Sequence, residues 1–314
     1  MNENLPSHDD FIRNILSNKE IAVEYFKNYL PDFVRERLDF SELQQLPGTY
    51  LSDELKKTMS DIIYSCALKD KKARIKVSLL IEHKSHPDKY TPVQIGGYIF
   101  SALQKQIQNK EPLSLVIPVL LYHGKVKWQY RTLANLFEDI DKEWEQFLPE
   151  FEYIYNDLGR LSDSEIEALN NKFLAASFLA LKHSQEKDWI ERNAGGLLIL
   201  ASEGPKGLKK GFIIYLYSRG RLEEKVLNSL PDPIKKDVMN TLDIYIEKGR
   251  KEGFEKGIEK GIEKGRIEGI EKGKEQIVQN LITIGKFTVP EIANLAGVPE
   301  TFVRKVRSSI NKKN

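Results

Sequence analysis

The chain has 314 residues, of which 40% are hydrophobic and 30% are charged, a composition typical of a soluble globular protein. Its 48 Lys and Arg nearly balance 46 Asp and Glu, so net charge neither predicts nor excludes nucleic-acid binding, which needs only a local basic patch. The N-terminus is too polar for a signal peptide, and the longest apolar stretch, 113–122, is too short to cross a bilayer. The single cysteine, Cys66, excludes an intrachain disulfide and fits a reducing compartment, so we expect a cytoplasmic protein without a membrane partner.

Residues 1–160 mix helical and strand patterns. The predicted elements, in chain order, are a helix around 11–16, a helix opened by a capping box at 17–20 and stopped at Pro31, a β-hairpin of 61–68 with 74–81, a helix after Pro92, and strands at 115–122 and 151–155. This order of helix, hairpin, helix and strand predicts an α/β domain built on a mixed sheet flanked by helices.

Residues 161–246 read as an α-helical annex. A capping box runs from Ser162 to Glu165, and an apolar helix face follows, with further helices expected near 209–218 and 232–248.

Residues 247–275 form a repeat in which glycine recurs at every fourth position, mostly as Glu-Lys-Gly-Ile. Glycine disfavours a helix interior by roughly 1 kcal/mol relative to alanine, so propensity alone does not support a helix here. Two alternatives remain, a flexible tether or a long helix whose glycine stripe lets a second helix approach closely. Because Phe254, Ile258 and Ile262 share the four-residue period and need burial, we favour the packed helix, which would make the protein a homo-oligomer.

Residues 276–314 predict a small basic unit resembling a helix-turn-helix in size. A capping box at Thr288 opens one helix, Gly297 ends it, and the last helix carries Arg304, Lys305 and Arg307. These three cations are candidates for nucleic-acid contact. The alternative is a helical cap or oligomerisation element with a solvated basic face.

The hairpin carries the chemically informative pattern. If Asp70 pairs with Ala73 across a two-residue turn, Asp61 lies directly opposite Glu82, with their Cβ atoms about 5 Å apart. Lys84, two residues further, shares that face. Two carboxylates this close favour a divalent cation between them, Mg²⁺ with Mn²⁺ or Ca²⁺ as alternatives. From these residues alone, a solvated cluster of charges at a strand end is the simpler interpretation.

Several segments resemble a known family. They are Ser60 to Tyr64, Leu79-Leu80-Ile81-Glu82-His83-Lys84-Ser85, the strand 115–122 with His123-Gly124, and the N-terminal His8-Asp9-Asp10-Phe11. Together they are similar to the Rpn family, recombination-promoting nucleases of the PD-(D/E)XK superfamily that also carry the label of transposases. The resemblance covers roughly residues 8–160 and extends more loosely into the annex.

The resemblance implies a restriction-endonuclease-like core in which Asp61 and Glu82 bind the metal and Lys84 assists catalysis. Many members carry glutamine in place of Lys84, and lysine is nearer the pattern of the wider superfamily. Gln94 and Tyr98 look like the Gln-x-x-x-Tyr motif of RecB-type nucleases and are candidates for positioning substrate. Asp88, in the preceding loop, either touches substrate or is solvated.

The resulting hypothesis is a metal-dependent DNA endonuclease that hydrolyses phosphodiester bonds in recombination or in mobile elements, with Asp61, Glu82 and Lys84 as catalytic residues. The alternative, from another class, is a catalytically silent DNA-binding or oligomeric scaffold. The expected domains are a nuclease-like core at 1–160, the annex at 161–246, the repeat at 247–275 and the basic unit at 276–314.

Overall fold

The structure is a computed structural model that describes residues 6–46, 62–69, 77–137, 140–220 and 222–311, and the side chains of these residues except 77–83 and 311. The chain divides into two compact units, Met1–Asp243 and Ile244–Asn314. They are taken in turn, since each has a hydrophobic core of its own.

Three helices open the first unit: α1 (His8–Leu16), α2 (Lys19–Tyr29) and the single-turn α3 (Asp32–Arg35). The predicted capping box with Ser17 as the N-cap of the second helix is wrong. Asn18 is the N-cap, and its side-chain oxygen accepts a hydrogen bond from the backbone N–H of Ile21. An amide oxygen serves this purpose as well as a hydroxyl. Ser17 ends α1 instead.

A five-stranded mixed sheet forms the centre of this unit, so the predicted α/β class with a mixed sheet is confirmed. The strands, which lie in the sheet in sequence order, are β1 (Leu38–Gln45), β2 (Ile62–Leu68), β3 (Val77–Lys84), β4 (Val116–Tyr122) and β5 (Ile154–Asp157). Strand β2 runs antiparallel to both of its neighbours, β1 and β3, whereas β3, β4 and β5 run parallel to one another. The parallel strands therefore end at the same edge of the sheet.

Strand β1 is absent from the prediction. Its sequence, Leu-Asp-Phe-Ser-Glu-Leu-Gln-Gln, buries only Leu38 and Leu43, and its register with β2 shifts between Asp39 and Gln44. An irregular edge strand with few buried residues lacks the strict alternation by which a half-buried strand is recognised.

Helix α4 (Thr91–Gln108) joins β3 to β4, as predicted from Pro92, and packs on one face of the sheet. On that face Ile95 packs with Leu120 and Tyr122 of β4. The other face packs against α1, α2 and the annex. Alternate positions of β2, among them Ile62 and Tyr64, and of β4, Val119 and Leu121, belong there to a separate large core. The sheet is thus covered by helices on both sides.

The annex is helical, as expected. After the short α5 (Lys142–Glu145) its elements are α6 (Asp163–Glu167), α7 (Lys172–Lys182), α8 (Lys187–Leu200), α9 (Lys206–Arg219) and α10 (Glu224–Ser229). The predicted capping box is present, since the Ser162 side chain accepts from the Glu165 N–H and the Glu165 carboxylate accepts from the Ser162 N–H. The apolar side chains of α7 are buried in the same cluster as α1, α2 and β2. The annex therefore shares its core with the sheet.

The glycine repeat lies in the long helix α11 (Asp232–Ile284), so of the two alternatives the structure has the helix. A Cβ built on any glycine from Gly249 to Gly273 meets no atom within 4 Å. Phe254 and Ile262 are about two thirds exposed, at 70% and 67%. The expected packing partner is therefore not among the described residues of this chain. None of the helices in the described ranges is both long and apolar enough to cross a bilayer.

The second unit ends in α12 (Val289–Ala296) and α13 (Glu300–Asn311). The predicted capping box at Thr288 with Glu291 is present, and Gly297 ends α12 in the left-handed conformation with φ of 58°. Val278 of α11 packs with residues of both short helices, among them Ile292 and Val303, to form a small core.

Candidate functional site

The two strands of the hairpin pair in the predicted register. Ile62 lies opposite Ile81, Tyr64 opposite Leu79, and Cys66 opposite Val77. The two-residue turn on which the prediction was based lies outside the described residues. The paired positions alone nevertheless establish the alignment of β2 with β3.

The two expected metal ligands are only partly covered by the structure. Asp61 lies outside the described residues, and of Glu82 only the backbone is described, paired with Leu120 of β4. Among the side chains that are described, no three His, Cys, Asp or Glu residues are grouped as a metal site requires. The assignment of Asp61 and Glu82 as ligands therefore stays a prediction.

Lys84 ends β3 at the edge where the parallel strands finish. Its partner in the register is Tyr122, the last residue of β4, and the next N–H, that of His123, donates to the Lys84 carbonyl at 3.2 Å. The Lys84 side chain is 19% exposed. The backbone of Lys84 is therefore hydrogen-bonded within the sheet, while its cationic side chain is partly accessible.

The Lys84 ammonium contacts Gln94, a residue predicted at the site. The Nζ atom donates to Gln94 Oε1 at 2.9 Å, and it lies 3.7 Å from Asp88 Oδ2. Gln94 is half-buried on the first turns of α4. The structure therefore brings together two of the predicted site residues that are ten positions apart, across the gap between a strand end and a helix.

Asp88 is the residue whose connection to this site the sequence did not indicate. Its Oδ2 accepts a hydrogen bond from Gln94 Nε2 at 3.0 Å, and its Oδ1 accepts from the Tyr90 N–H at 2.9 Å. The second contact is an Asx turn, which Asp favours just before a helix. The Asp-Lys-Tyr-Thr-Pro run that opens α4 was the available signal for the turn; nothing in the sequence indicated the contact with Gln94.

Tyr98 lies one helical turn beyond Gln94 and is fully buried, with an exposed fraction of 0%. Gly96 packs against the ring of Phe151, which would lie 3.1 Å from an added Cβ, whereas Gly97 faces open space. Burial gives Tyr98 a packing role beneath α4 and sets it apart from Gln94, which reaches the surface. Its role in positioning substrate stays a prediction.

Gly124 is required by the close approach of the chain at the end of β4. A Cβ at this position would lie 2.2 Å from the carbonyl oxygen of Ser85 and 2.3 Å from the hydroxyl of Tyr122. Because Ser85 directly follows Lys84, the space left by Gly124 determines how tightly the two strand ends meet.

Cys66 and His123 are both buried in the fold. Cys66 is buried, its Sγ lies 3.2 Å from the carbonyl oxygen of Asp39, and burial raises the pKa of its thiol to about 12. His123 is buried at the other face of the sheet from Gln94, with its Nδ1 3.1 Å from the carbonyl oxygen of Leu181. Neither side chain presents a nucleophile or a ligand to solvent.

The three predicted nucleic-acid contacts of the second unit lie on the exposed side of α13. Arg304, Lys305 and Arg307 are exposed, while Val303 and Val306 of the same helix are buried in its small core. Arg304 pairs with Glu300 at 3.2 Å, which offsets part of its charge. The arrangement fits either interpretation of this helix, so DNA contact stays a prediction.

Comparison with known proteins adds the family. Residues 6–204 match the family model described as "Putative transposase, YhgA-like". The chain is 27% identical over 183 residues to recombination-promoting nuclease RpnD of Escherichia coli O157:H7, which covers 58% of this chain and 69% of RpnD. It is 29% identical over 119 residues to recombination-promoting nuclease RpnC of Escherichia coli K12, covering 38% and 39% of the two chains.

A third relative differs in its name. The inactive recombination-promoting nuclease-like protein RpnE of Escherichia coli K12 is 25% identical over 184 residues, which covers 58% of this chain and 60% of RpnE. No solved structure matches the chain. The matched segments span between 39% and 69% of these three relatives. The resemblance found in the sequence is confirmed: the chain belongs to the YhgA-like transposase family, together with relatives named as Rpn recombination-promoting nucleases.

Proposed function

We propose that this protein is a metal-dependent DNA endonuclease with a restriction-endonuclease-like core, acting in recombination or on mobile elements. The observation that carries the proposal is the Lys84 ammonium, held 2.9 Å from Gln94 at the edge where parallel strands end. Edges of this kind are where open α/β sheets bind ligands. Relatives whose names describe recombination-promoting nucleases support the choice of activity.

The register of the hairpin supports the choice of the two carboxylates. The described pairing of β2 with β3 ends at Ile62 with Ile81. If the same register continues one step further, it would pair Asp61 with Glu82. Carboxylate oxygens in this number suit Mg²⁺, which takes one or two carboxylates and completes its shell with water and phosphate. Mn²⁺ and Ca²⁺ accept the same donors.

In this proposal Asp61 and Glu82 would hold a divalent cation, which would supply Lewis-acid polarisation of the phosphodiester and activation of a water molecule. Lys84 donates a hydrogen bond to the phosphoryl oxygen on which negative charge develops, and so stabilises the transition state. Gln94 keeps the ammonium at the edge of the sheet while the substrate is absent.

This proposal is tested by cleavage of a supercoiled plasmid by the pure protein in the presence of Mg²⁺, Mn²⁺, Ca²⁺ or EDTA. We expect nicked and linear products that require the cation and are lost in Asp61→Ala, Glu82→Ala and Lys84→Ala. Glu145→Ala, an exposed carboxylate on α5, is the matched control and should cleave as the wild type does. Equal cleavage by the wild type and by both carboxylate variants would refute the assignment.

The second candidate is a silent DNA-binding scaffold, and the inactive name of RpnE is the observation that favours it. It predicts that the protein retards duplex DNA in a gel without nicking it in any of the cations. Plasmid cleavage and gel retardation together separate the two functions, because the first measures cleavage and the second measures binding.

We further propose that the protein self-associates through α11. Phe254, Ile258 and Ile262 are exposed along the repeat, and the neighbouring glycines leave room for a second backbone. Two associated copies would bring two sites to one duplex, which a concerted double-strand cut requires.

A further inference from the structure

Asp88 uses its two carboxylate oxygens for two different contacts. Oδ1 accepts from the Tyr90 N–H at 2.9 Å and so shapes the turn before α4. Oδ2 accepts from the Gln94 side-chain amide at 3.0 Å. The first contact organises the backbone, and the second reaches the side chain that contacts Lys84.

The second contact determines which way the Gln94 amide faces. A glutamine amide donates only through its nitrogen and accepts only through its oxygen, whereas an ionised carboxylate only accepts. With Asp88 on one side, Nε2 must face the carboxylate and Oε1 must face away from it. Oε1 is the atom that accepts from Lys84 Nζ at 2.9 Å. Since an ammonium only donates, both contacts require the same amide orientation.

We propose that Asp88 is a positioning residue of this site, which orients the Gln94 amide and through it holds the Lys84 ammonium at the end of β3. The catalytic consequence rests on the proposed nuclease function; the orientation of the amide does not. Asp88 is itself 3.7 Å from Lys84 Nζ, so its charge also favours the ammonium in this position.

A conservative substitution distinguishes the positioning role of Asp88 from a purely structural role, in which Asp88 only shapes the turn before α4. Asp88→Asn keeps an oxygen for the Tyr90 N–H but presents an NH₂ group to Gln94. Gln94 must then turn its oxygen towards position 88 and its own NH₂ towards the Lys84 ammonium. Two donors cannot bond, so the contact with Lys84 is lost while the turn is retained.

A second substitution should restore both hydrogen bonds, with the direction of the bond between positions 88 and 94 reversed. In the double variant Asp88→Asn with Gln94→Glu, the carboxylate at position 94 accepts from the new amide at position 88. Its other oxygen accepts from Lys84 Nζ. The double variant has the same net charge as the wild type, so it separates hydrogen-bond direction from charge.

The test uses the full chain labelled with ¹⁵N-lysine and reads the ammonium signal of Lys84 by NMR, assigned with Lys84→Arg. A hydrogen-bonded ammonium exchanges its protons slowly and gives a signal. We expect this signal in the wild type, its loss in Asp88→Asn, and its return in the double variant. Glu111→Gln is the matched control, since Glu111 also accepts from a side-chain amide, that of Asn109 at 3.0 Å, beyond the other end of α4.

Plasmid cleavage is measured on the same samples. We expect the kcat of Asp88→Asn to fall on the order of tenfold with little change in KM, and to recover in the double variant. If the wild type gives the NMR pattern but cuts no DNA, the nuclease function fails and the positioning role stands. An ammonium signal that is absent from the wild type, that persists in Asp88→Asn, or that fails to return in the double variant overturns the inference.

Discussion

Ile62 of β2 is paired with Ile81 of β3 in an antiparallel register, and the position after Ile81 is Glu82. We predict that the same register continues one step further, which would place Asp61 directly opposite Glu82. Opposed residues in an antiparallel pair have Cα atoms about 4.5–5.5 Å apart, within the range that a disulfide spans. The pairing of the two proposed metal ligands can therefore be tested by cross-linking.

We expect the variant with Asp61→Cys and Glu82→Cys to form an intrachain disulfide under mild oxidation, identified by mass spectrometry of the non-reduced digest. The control combines Asp61→Cys with substitution of His83 by cysteine. In the predicted register residues 61 and 83 would lie on opposite faces, so the control should stay reduced. If the control pair cross-links instead, the register between the two strands must shift by one residue beyond Ile62.

Gly124 should not tolerate a side chain. In Gly124→Ala the new methyl group would lie 2.2 Å from the Ser85 carbonyl oxygen, which is backbone and moves only with the end of β3. We expect a loss of about 1–3 kcal/mol in the free energy of unfolding, measured by urea denaturation.

Gly97→Ala is the matched control for that measurement. Its Cβ meets open space on α4, so we expect a gain of up to about 1 kcal/mol from helix propensity. A loss of stability in both variants, or in neither, would mean that the close approach at Gly124 does not govern the effect.

Asp163 should make folding stability depend on acid pH. Burial works to raise the pKa of this carboxyl, but hydrogen bonds from Lys182 at 2.7 Å and from His183 outweigh it and lower the pKa. A carboxyl with a lowered folded pKa stabilises the protein above its unfolded pKa, about 3.9, and loses that contribution as pH falls through the folded value.

Asp163→Asn should therefore be less stable than the wild type at pH 7, and the difference should shrink as pH falls below about 4. Urea unfolding between pH 7 and pH 3 measures it. Glu145→Gln, which changes an exposed carboxylate, is the control and should show no such convergence. A difference that is independent of pH would contradict the ionic origin.

Replacing glycines of the α11 repeat with alanine should stabilise the helix and weaken self-association. Gly257→Ala, Gly261→Ala and Gly265→Ala together should raise the helix content and melting temperature, since each replacement favours the helix by up to about 1 kcal/mol. The same methyl groups should weaken self-association by keeping the partner backbone away. Circular dichroism and sedimentation velocity measure the two.

Glu255→Ala with Glu259→Ala is the control for helix propensity, because it adds alanine beside the glycine stripe without filling it. Its helix content should rise while association changes less than in the glycine variant. A glycine variant that associates as well as the wild type would show that the stripe does not form the contact.

The exposed cations of α13 should contribute to DNA affinity without sequence preference. Removing Arg304, Lys305 and Arg307 together should weaken duplex binding and reduce the slope of log K against log salt concentration by up to about 3. Lys256→Ala, Lys260→Ala and Lys264→Ala remove the same charge from the repeat and form the control. Equal losses in both triple variants would assign the effect to net charge rather than to α13.

The sequence alone determined several elements whose signals are local, although the equally local capping box expected at Ser17 is not formed. The register of β2 with β3 follows from two apolar strands of known separation, and the capping boxes at Ser162 and Thr288 follow from residues three apart. Gly297 ends α12 because only a residue without Cβ adopts its positive φ at little cost. Each of these depends on residues that are close in the chain, which is why the sequence could indicate it.

The tertiary structure decided the contacts between distant elements. The irregular β1 is a strand only because it forms hydrogen bonds with β2. The annex shares a core with the sheet because its apolar faces pack against α1 and α2. Likewise, Asp88 and Lys84 both reach Gln94 only because α4 begins beside the end of β3. Such contacts depend on how helices pack on the sheet, which residue spacing does not specify, so the site became a network only in the folded chain.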